Sequence, residues 1–321
     1  RRLSAMLMRP TCPVVKRGHR HLRGSPLLAL LAALAVGGGA LSGCSTYGRG
    51  EPLVTQEITD VPDADIDLDR ASEENRLRLI DPRFDHMVAV FDDTTGMESA
   101  RLLFQESNTL IIAADSDAAS LRAASLSVAQ RVPMVTYSDD IRTDIAELAT
   151  DLGVRQIVVV GNVPWASHSG EWEVVQDPGN TKALGEYTAF RFTSKVVKDP
   201  SRMVDNIAHL DANAHTELKA AWEPLEQHLS KEKMPAIPAQ ARRDAQMAPV
   251  MVATANSPLA NVANANAYGA TVMVMPDPDP SATKVGAAMT AGLAKGPIVA
   301  LGPEFGSVTD FTHKIARGWK E

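Results

Sequence analysis

Cysteine is nearly absent from this chain, and its scarcity removes two classes of structure at once. Among 321 residues there are two cysteines, Cys12 and Cys44, so neither a disulfide framework nor a cysteine-rich metal centre can be assembled. Aromatic residues make up 5% of the chain, too few for a core built on large rings, and the many Ala and Val residues point instead to thin, closely packed α/β layers. The motifs of several enzyme classes are missing as well. No G-x-S-x-G elbow exposes a nucleophilic serine, no P-loop cradles phosphates and no G-x-G-x-x-G turn admits a dinucleotide. Neither catalysis nor a cofactor is expected. The histidines beyond Cys44 are His86, His168, His209, His215, His228 and His313, and the spacing of His209 and His215 puts them on different faces of a helix. No metal site is expected either. The carboxylates Asp115 with Asp117, and Asp139 with Asp140, follow strand-like runs, where such residues cap the next helix.

Long apolar runs are also lacking, and the segment 26–36 (PLLALLAALAV) is too short to cross a bilayer permanently. It follows the cations Arg1, Arg2, Arg9, Lys16, Arg17, Arg20 and Arg23 and precedes Leu41-Ser42-Gly43-Cys44. Charge, apolar run and small residues in that order read as an export signal, and its end resembles a bacterial lipobox. The resemblance implies a lipoprotein signal peptide over 1–43 and a lipidated Cys44 as first mature residue. The protein is then exported and held by its lipid at the outer face of the cytoplasmic membrane. Loss of those seven basic residues, with no acidic ones, moves the formal charge from −7 to −14. Nucleic acid is excluded as a general partner, because each phosphate contact needs a cation that the mature chain does not cluster.

Acidic residues Glu51, Glu57, Asp60, Asp63, Asp65, Asp67 and Asp69 punctuate a stretch with little apolar periodicity, read as a solvated tether over 44–85. A strand–helix rhythm follows. The runs 109–114 (TLIIAA), 132–137 (VPMVTY) and 156–160 (QIVVV) alternate with two helical patterns, predicting a β-α-β-α-β unit over 86–170 with a parallel sheet. The rhythm returns at 249–253 (PVMVA), 271–275 (TVMVM) and 298–301 (IVAL), predicting a second unit over 248–321. Between them, 171–247 reads as an α+β insertion. A hairpin is expected from 173–175 and 187–197, then a helix face through Met203, Ile207, Leu210, Ala214, Leu218 and Ala221 with Trp222 in the core. A second helix starts at Pro224, and 234–238 is a linker. The fold class is thus α/β, with two Rossmann-like units joined by an insertion.

Residues 99–167 resemble one module of the cell wall-binding repeat 2 family. The matching order is a helix, a strand ending in small residues, an Ala-rich helix, a strand leading to Ser or Thr, a helix and a V-V-G strand end. The resemblance implies a divergent, non-catalytic surface protein with two modules, where family members often carry three. Its implied partner is a cell wall glycan or polymer, or an envelope protein. The alternative is a solute-binding lipoprotein of an importer, which a cleft between the lobes would favour. In a parallel α/β sheet, ligands meet the loops beyond the carboxyl ends of the strands. Candidate ligand-binding residues are therefore Asp115, Ser116, Asp117, Ser138, Asp139, Gly161 and Asn162 in the first unit, and Thr254, Asn256, Ser257, Asp277, Asp279 and Gly302 in the second.

Overall fold

Apolar runs that are buried on both faces make the inner strands of the two sheets on which the chain is built. A computed structural model describes residues 63–165, 172–228 and 234–319, all in one compact unit. The signal segment, Cys44 and the tether up to residue 62 lie outside the described residues. The elements begin with α1 (Leu68–Arg76), β1 (Val88–Val90), α2 (Met97–Leu103), β2 (Thr109–Ala113), α3 (Asp117–Gln130), β3 (Met134–Thr136), α4 (Arg142–Asp151) and β4 (Gln156–Val160). Next come β5 (Glu173–Gln176), α5 (Thr181–Thr188), β6 (Thr193–Val197), α6 (Met203–Ala208) and β7 (Thr216–Ala220). The chain finishes with β8 (Val250–Ala253), α7 (Leu259–Tyr268), β9 (Val272–Val274), α8 (Lys284–Thr290), β10 (Ile298–Ala300) and α9 (Val308–Trp319).

One sheet has the order β3-β2-β4-β5 and the other β9-β8-β10-β1, and every pairing in both is parallel. In each, the first strand of the unit lies between the second and the third. Ile112 sits between Val135 and Val159, and Val252 between Met273 and Ala300. All five residues of β2 and of β4 are buried, as expected of strands covered by helices on both faces. The chain is thus an α/β protein with two β-α-β-α-β units and parallel sheets.

The insertion differs from its expected form. β5 extends the first sheet in parallel beside β4, Tyr187 belongs to helix α5, and β6 pairs in parallel with β7; there is no hairpin. The expected helix face through 203–221 breaks after α6, because an Asp211 turn, with the Asn213 amide donating to its carboxylate at 2.8 Å, ends the helix before β7 begins. No helix occupies 224–228. Trp222 lies at the surface, 37% exposed, instead of in the core. β6-α6-β7 is therefore a third, reduced parallel β-α-β unit. Its helix α6 packs against both α3 and α7, which also pack on each other.

Two further boundaries shift. β1 lies within the expected first unit, yet it completes the sheet of the second by pairing with β10. The tether reading fails over its last part, where Asp67 caps α1 by accepting from the amides of Asp69 and Arg70 at 3.0 and 3.1 Å. The buried face of α1 is Ala71, Ser72 and Asn75. Asn75 Nδ2 donates to the carbonyls of Ala288 and Ala291 at 3.2 and 3.1 Å, supplying partners at the carboxyl end of α8. These residues are small or polar, so hydrophobic periodicity does not reveal them.

Helix α7 joins the units through three asparagines. Asn261 donates to the carbonyls of Asp93 and Leu301 at 3.0 and 3.3 Å. Asn264 accepts from the Met134 amide at 2.7 Å and donates to the Met134 carbonyl at 2.9 Å, completing the edge of β3 as a neighbouring peptide would. Asn266 donates to the carbonyls of Ile207 and Leu210 at 2.8 and 3.0 Å, closing the end of α6.

Candidate functional site

The loops at the carboxyl ends of β2, β3 and β4 carry the candidates of the first unit. Ser116 is the N-cap of α3, accepting from the Ala119 amide at 3.3 Å. Asp117 accepts from Trp222 Nε1 at 2.9 Å, and the Glu223 carboxylate accepts from the Ala118 amide at 2.9 Å. The helix start that would meet an anionic ligand is thus occupied by a carboxylate of the chain itself. Asp139 accepts from Tyr137 Oη at 2.9 Å, and Ser138 donates to Asp140. Gly161 has φ +81°, and a Cβ there would approach Ala114 and Ala119 Cβ atoms to 2.9 and 3.1 Å. Its lack of a side chain serves the close approach of β4 to the start of α3. Asp115 and Asn162 are exposed.

A similar closure operates in the second unit. Thr254 Oγ1 donates to Glu304 Oε1 at 2.9 Å, and the Ser257 hydroxyl donates to the same oxygen. Thr254 and Ser257 are buried while Asn256 is exposed. Gly302 lies directly under the Glu304 side chain, where a Cβ would collide with the carboxylate. Asp277 accepts from the Asp279 amide at 2.8 Å, and Asp279 pairs with Arg317 of α9 at 2.6 Å. Burial would raise the Asp279 pKa, but hydrogen bonds from Ser281 and the Arg317 charge hold it below the ordinary aspartate value. The two sets of candidates sit on separate sheets, and no hydrogen bond joins them among the described residues. Most of the loop side chains satisfy groups of the chain itself, leaving Asp115, Asp139, Asn162 and Asn256 exposed to solvent.

Sequence reasoning missed the charged centre of the molecule. Arg122 of α3, buried to 1% exposure, donates through Nε and Nη2 to the two oxygens of Asp177 at 3.0 and 2.9 Å, and through Nη1 to Glu217. Tyr187 Oη donates to Asp177 at 2.8 Å, and Thr181, Ser194 and Lys219 surround the other Glu217 oxygen. Burial, the largest single influence, would lower the Arg122 pKa; the charge and hydrogen bonds of Asp177, with Tyr187 and the Glu217 charge, together outweigh it and hold the guanidinium above its ordinary value. For Glu217 burial acts upward, and the Thr181 hydrogen bond with the Arg122 charge brings the carboxyl below its usual range. Burial, then the Asp177 charge, pushes the Tyr187 hydroxyl well upward. The signal for Arg122 was a lone cation in the otherwise uncharged helix stretch 118–130. Among the described residues no three His, Cys, Asp or Glu side chains gather to hold a metal ion.

No protein-family model matches the chain, and no curated protein matches it. Among solved structures, Cwp6 from Clostridium difficile, a cell wall protein, is a weak structural neighbour, with 12% sequence identity and a TM-score of 0.40 over 68% of this chain. The match covers 46% of that chain, so this protein spans less than half of its neighbour's length. No helix of the described residues is long and apolar enough to cross a membrane.

Proposed function

We propose that this protein is a divergent relative of the cell wall-binding repeat 2 family, lipid-anchored through Cys44, that binds a wall polymer or scaffolds envelope proteins without catalysing a reaction. The observation that carries the reading is the direct packing of α3 on α7, sealed by the Asn264 bridge to Met134. A solute-binding protein needs a cleft between its lobes, and here the facing helices are in contact. The reduced β6-α6-β7 unit supports the same reading, since it supplies a third parallel module in a family whose members often carry three. Closure of two strand-end loops by Glu223 and Glu304 supports a protein that binds at its surface and not through a phosphate-bearing cofactor.

Sedimentation with purified cell wall tests it. Full-length protein should pellet with wall fragments, and combined Asp115→Ala, Asn162→Ala and Asn256→Ala replacement should weaken retention if the exposed loop residues meet the polymer. Absence of wall retention in the parent would reject polymer binding. Anchoring is tested separately: Cys44→Ala should abolish acylation and release the protein from the membrane, and an intact mass without lipid on Cys44 in the parent would reject the lipoprotein reading.

A further inference from the structure

Among the described residues, the reduced middle unit leaves one sheet edge open. The Thr193 amide donates to the His215 carbonyl at 3.1 Å and the Val197 carbonyl accepts from the Ala221 amide at 2.9 Å, so β6 turns its odd-numbered backbone groups toward β7. By the alternation of a parallel ladder, the N–H and C=O groups of Ser194 and Val196 face outward. The far edge of β7 is engaged, because the Leu218 amide donates to Ser125 of α3 at 2.8 Å. Among the described residues β6 pairs only with β7, and Thr193 to Val196 are exposed. Open edges of this kind accept an added strand.

At the start of that edge lies a shallow, open cleft of about 340 Å³ lined by Thr181, Lys182, Phe190, Arg191 and Phe192 among others. Phe190 stacks on His215 with ring centroids 3.9 Å apart. Ala189 has φ +61° as the left-handed cap that ends α5, and His215 has φ +49° just ahead of β7. Burial lowers the His215 pKa, which favours the neutral form of the ring stacked on Phe190. From 189 to 198 the sequence carries three cations, Arg191, Lys195 and Lys198, and no acid. All three are exposed, and none has an ion-pair partner among the described residues. On a chain of net negative charge this is a local patch of positive charge, ending at Asp199.

The lining selects among anions. A saccharide presents several hydroxyl groups, each needing a donor or acceptor, whereas the lining has one hydroxyl, Thr181, already bonded to Glu217. It has no carboxylate or amide side chain. An apolar body with a single anionic head fits better, and the planar guanidinium of Arg191 is matched to a carboxylate. We propose that this edge and cleft bind the free carboxyl end of an extended peptide. The last side chain, apolar, sits against Phe190 and Phe192, the terminal carboxylate meets Arg191, and the backbone runs antiparallel along β6. Lys195 and Lys198 then lie beside upstream positions and favour acidic residues there.

The test uses the full chain and a fluorescent pentapeptide Glu-Thr-Glu-Val-Leu with a free carboxyl end, against the same peptide amidated. The free peptide should bind at least tenfold more tightly. Arg191→Ala, an exposed replacement whose folding is checked by its melting temperature, should abolish that preference. Val196→Pro removes one outward N–H without touching the ladder to β7 and should weaken both peptides by at least fivefold. Equal affinity for the two peptides, full preference retained in Arg191→Ala, or unchanged binding in Val196→Pro would overturn the proposal. Displacement of the peptide by polygalacturonate with equal affinity for the amidated form would also overturn it, as a site that reads charge alone. Wall sedimentation unchanged in Arg191→Ala separates the failure of this site from failure of polymer binding.

Discussion

Arg122 and Asp177 meet in the interior through two hydrogen bonds of 3.0 and 2.9 Å, with both side chains at 2% exposure or less. Helix α3 is thereby tied to the loop after β5, and Glu217 extends the tie to β7. Arg122→Met removes the one cation that both carboxylates face and leaves them buried without it. A loss of about 3–5 kcal/mol is expected, read by urea denaturation. Arg122→Lys restores charge but not the two-point geometry and should recover less than half of the loss.

Acid should weaken the same link. Glu217 has a folded-state pKa below its ordinary value, so its contribution is complete above the unfolded-state value near about pH 4.3. It is lost as the pH falls through the lower folded-state value, because the unfolded chain binds the proton first. The stability difference between the parent and Glu217→Gln, measured by denaturation at neutral pH and at successively lower pH, should shrink across that interval. A difference independent of pH would reject the assignment.

Asn264 completes the buried edge of β3 from a neighbouring helix, and its replacements should rank accordingly. Asn264→Ala leaves the Met134 amide and carbonyl without this partner, a cost of about 1–3 kcal/mol for each group left buried and unsatisfied. Asn264→Asp keeps the acceptor but turns a negative charge toward the carbonyls of Gly96 and Met134, so it should melt at a lower temperature than the alanine variant.

Glu304 and Gly302 act as one device in the second unit. Glu304→Ala removes the acceptor for the Thr254 and Ser257 hydroxyls and should destabilise by about 1–3 kcal/mol. Gly302→Ala puts a methyl group where the Glu304 carboxylate lies and should displace it with a similar loss. The double variant should cost no more than either single one, since the same contact is removed; additive losses in a thermal double-mutant cycle would refute the coupling.

The strands legible in the sequence were those covered on both sides. After their polar first residues, Thr109 and Gln156, β2 and β4 run continuously apolar through LIIA and IVVV because helices cover both faces of a parallel sheet. The middle unit lacked that signature. Four of the five residues of β6 are exposed, and β7 places the charged Glu217 inside beside Leu218, so a helix phase continued through a segment that is half strand. β1 is three residues long and its partner lies near the other end of the chain, beyond the reach of local pattern. The loops at the carboxyl ends of the strands were legible from topology, but the carboxylates that close them, Glu223 and Glu304, are found only where the chain folds back.

Because β1 pairs with β10 and α1 packs on α8, the polypeptide enters its fold through the C-terminal module. A pull applied ahead of residue 63 is borne first by α1 and then by the β1–β10 ladder, with the first module suspended behind them. During synthesis β1 must stay unpaired until β10 has emerged. Removing the C-terminal segment would therefore uncouple the mechanical connection at the opposite terminus, even though the two lie far apart in sequence.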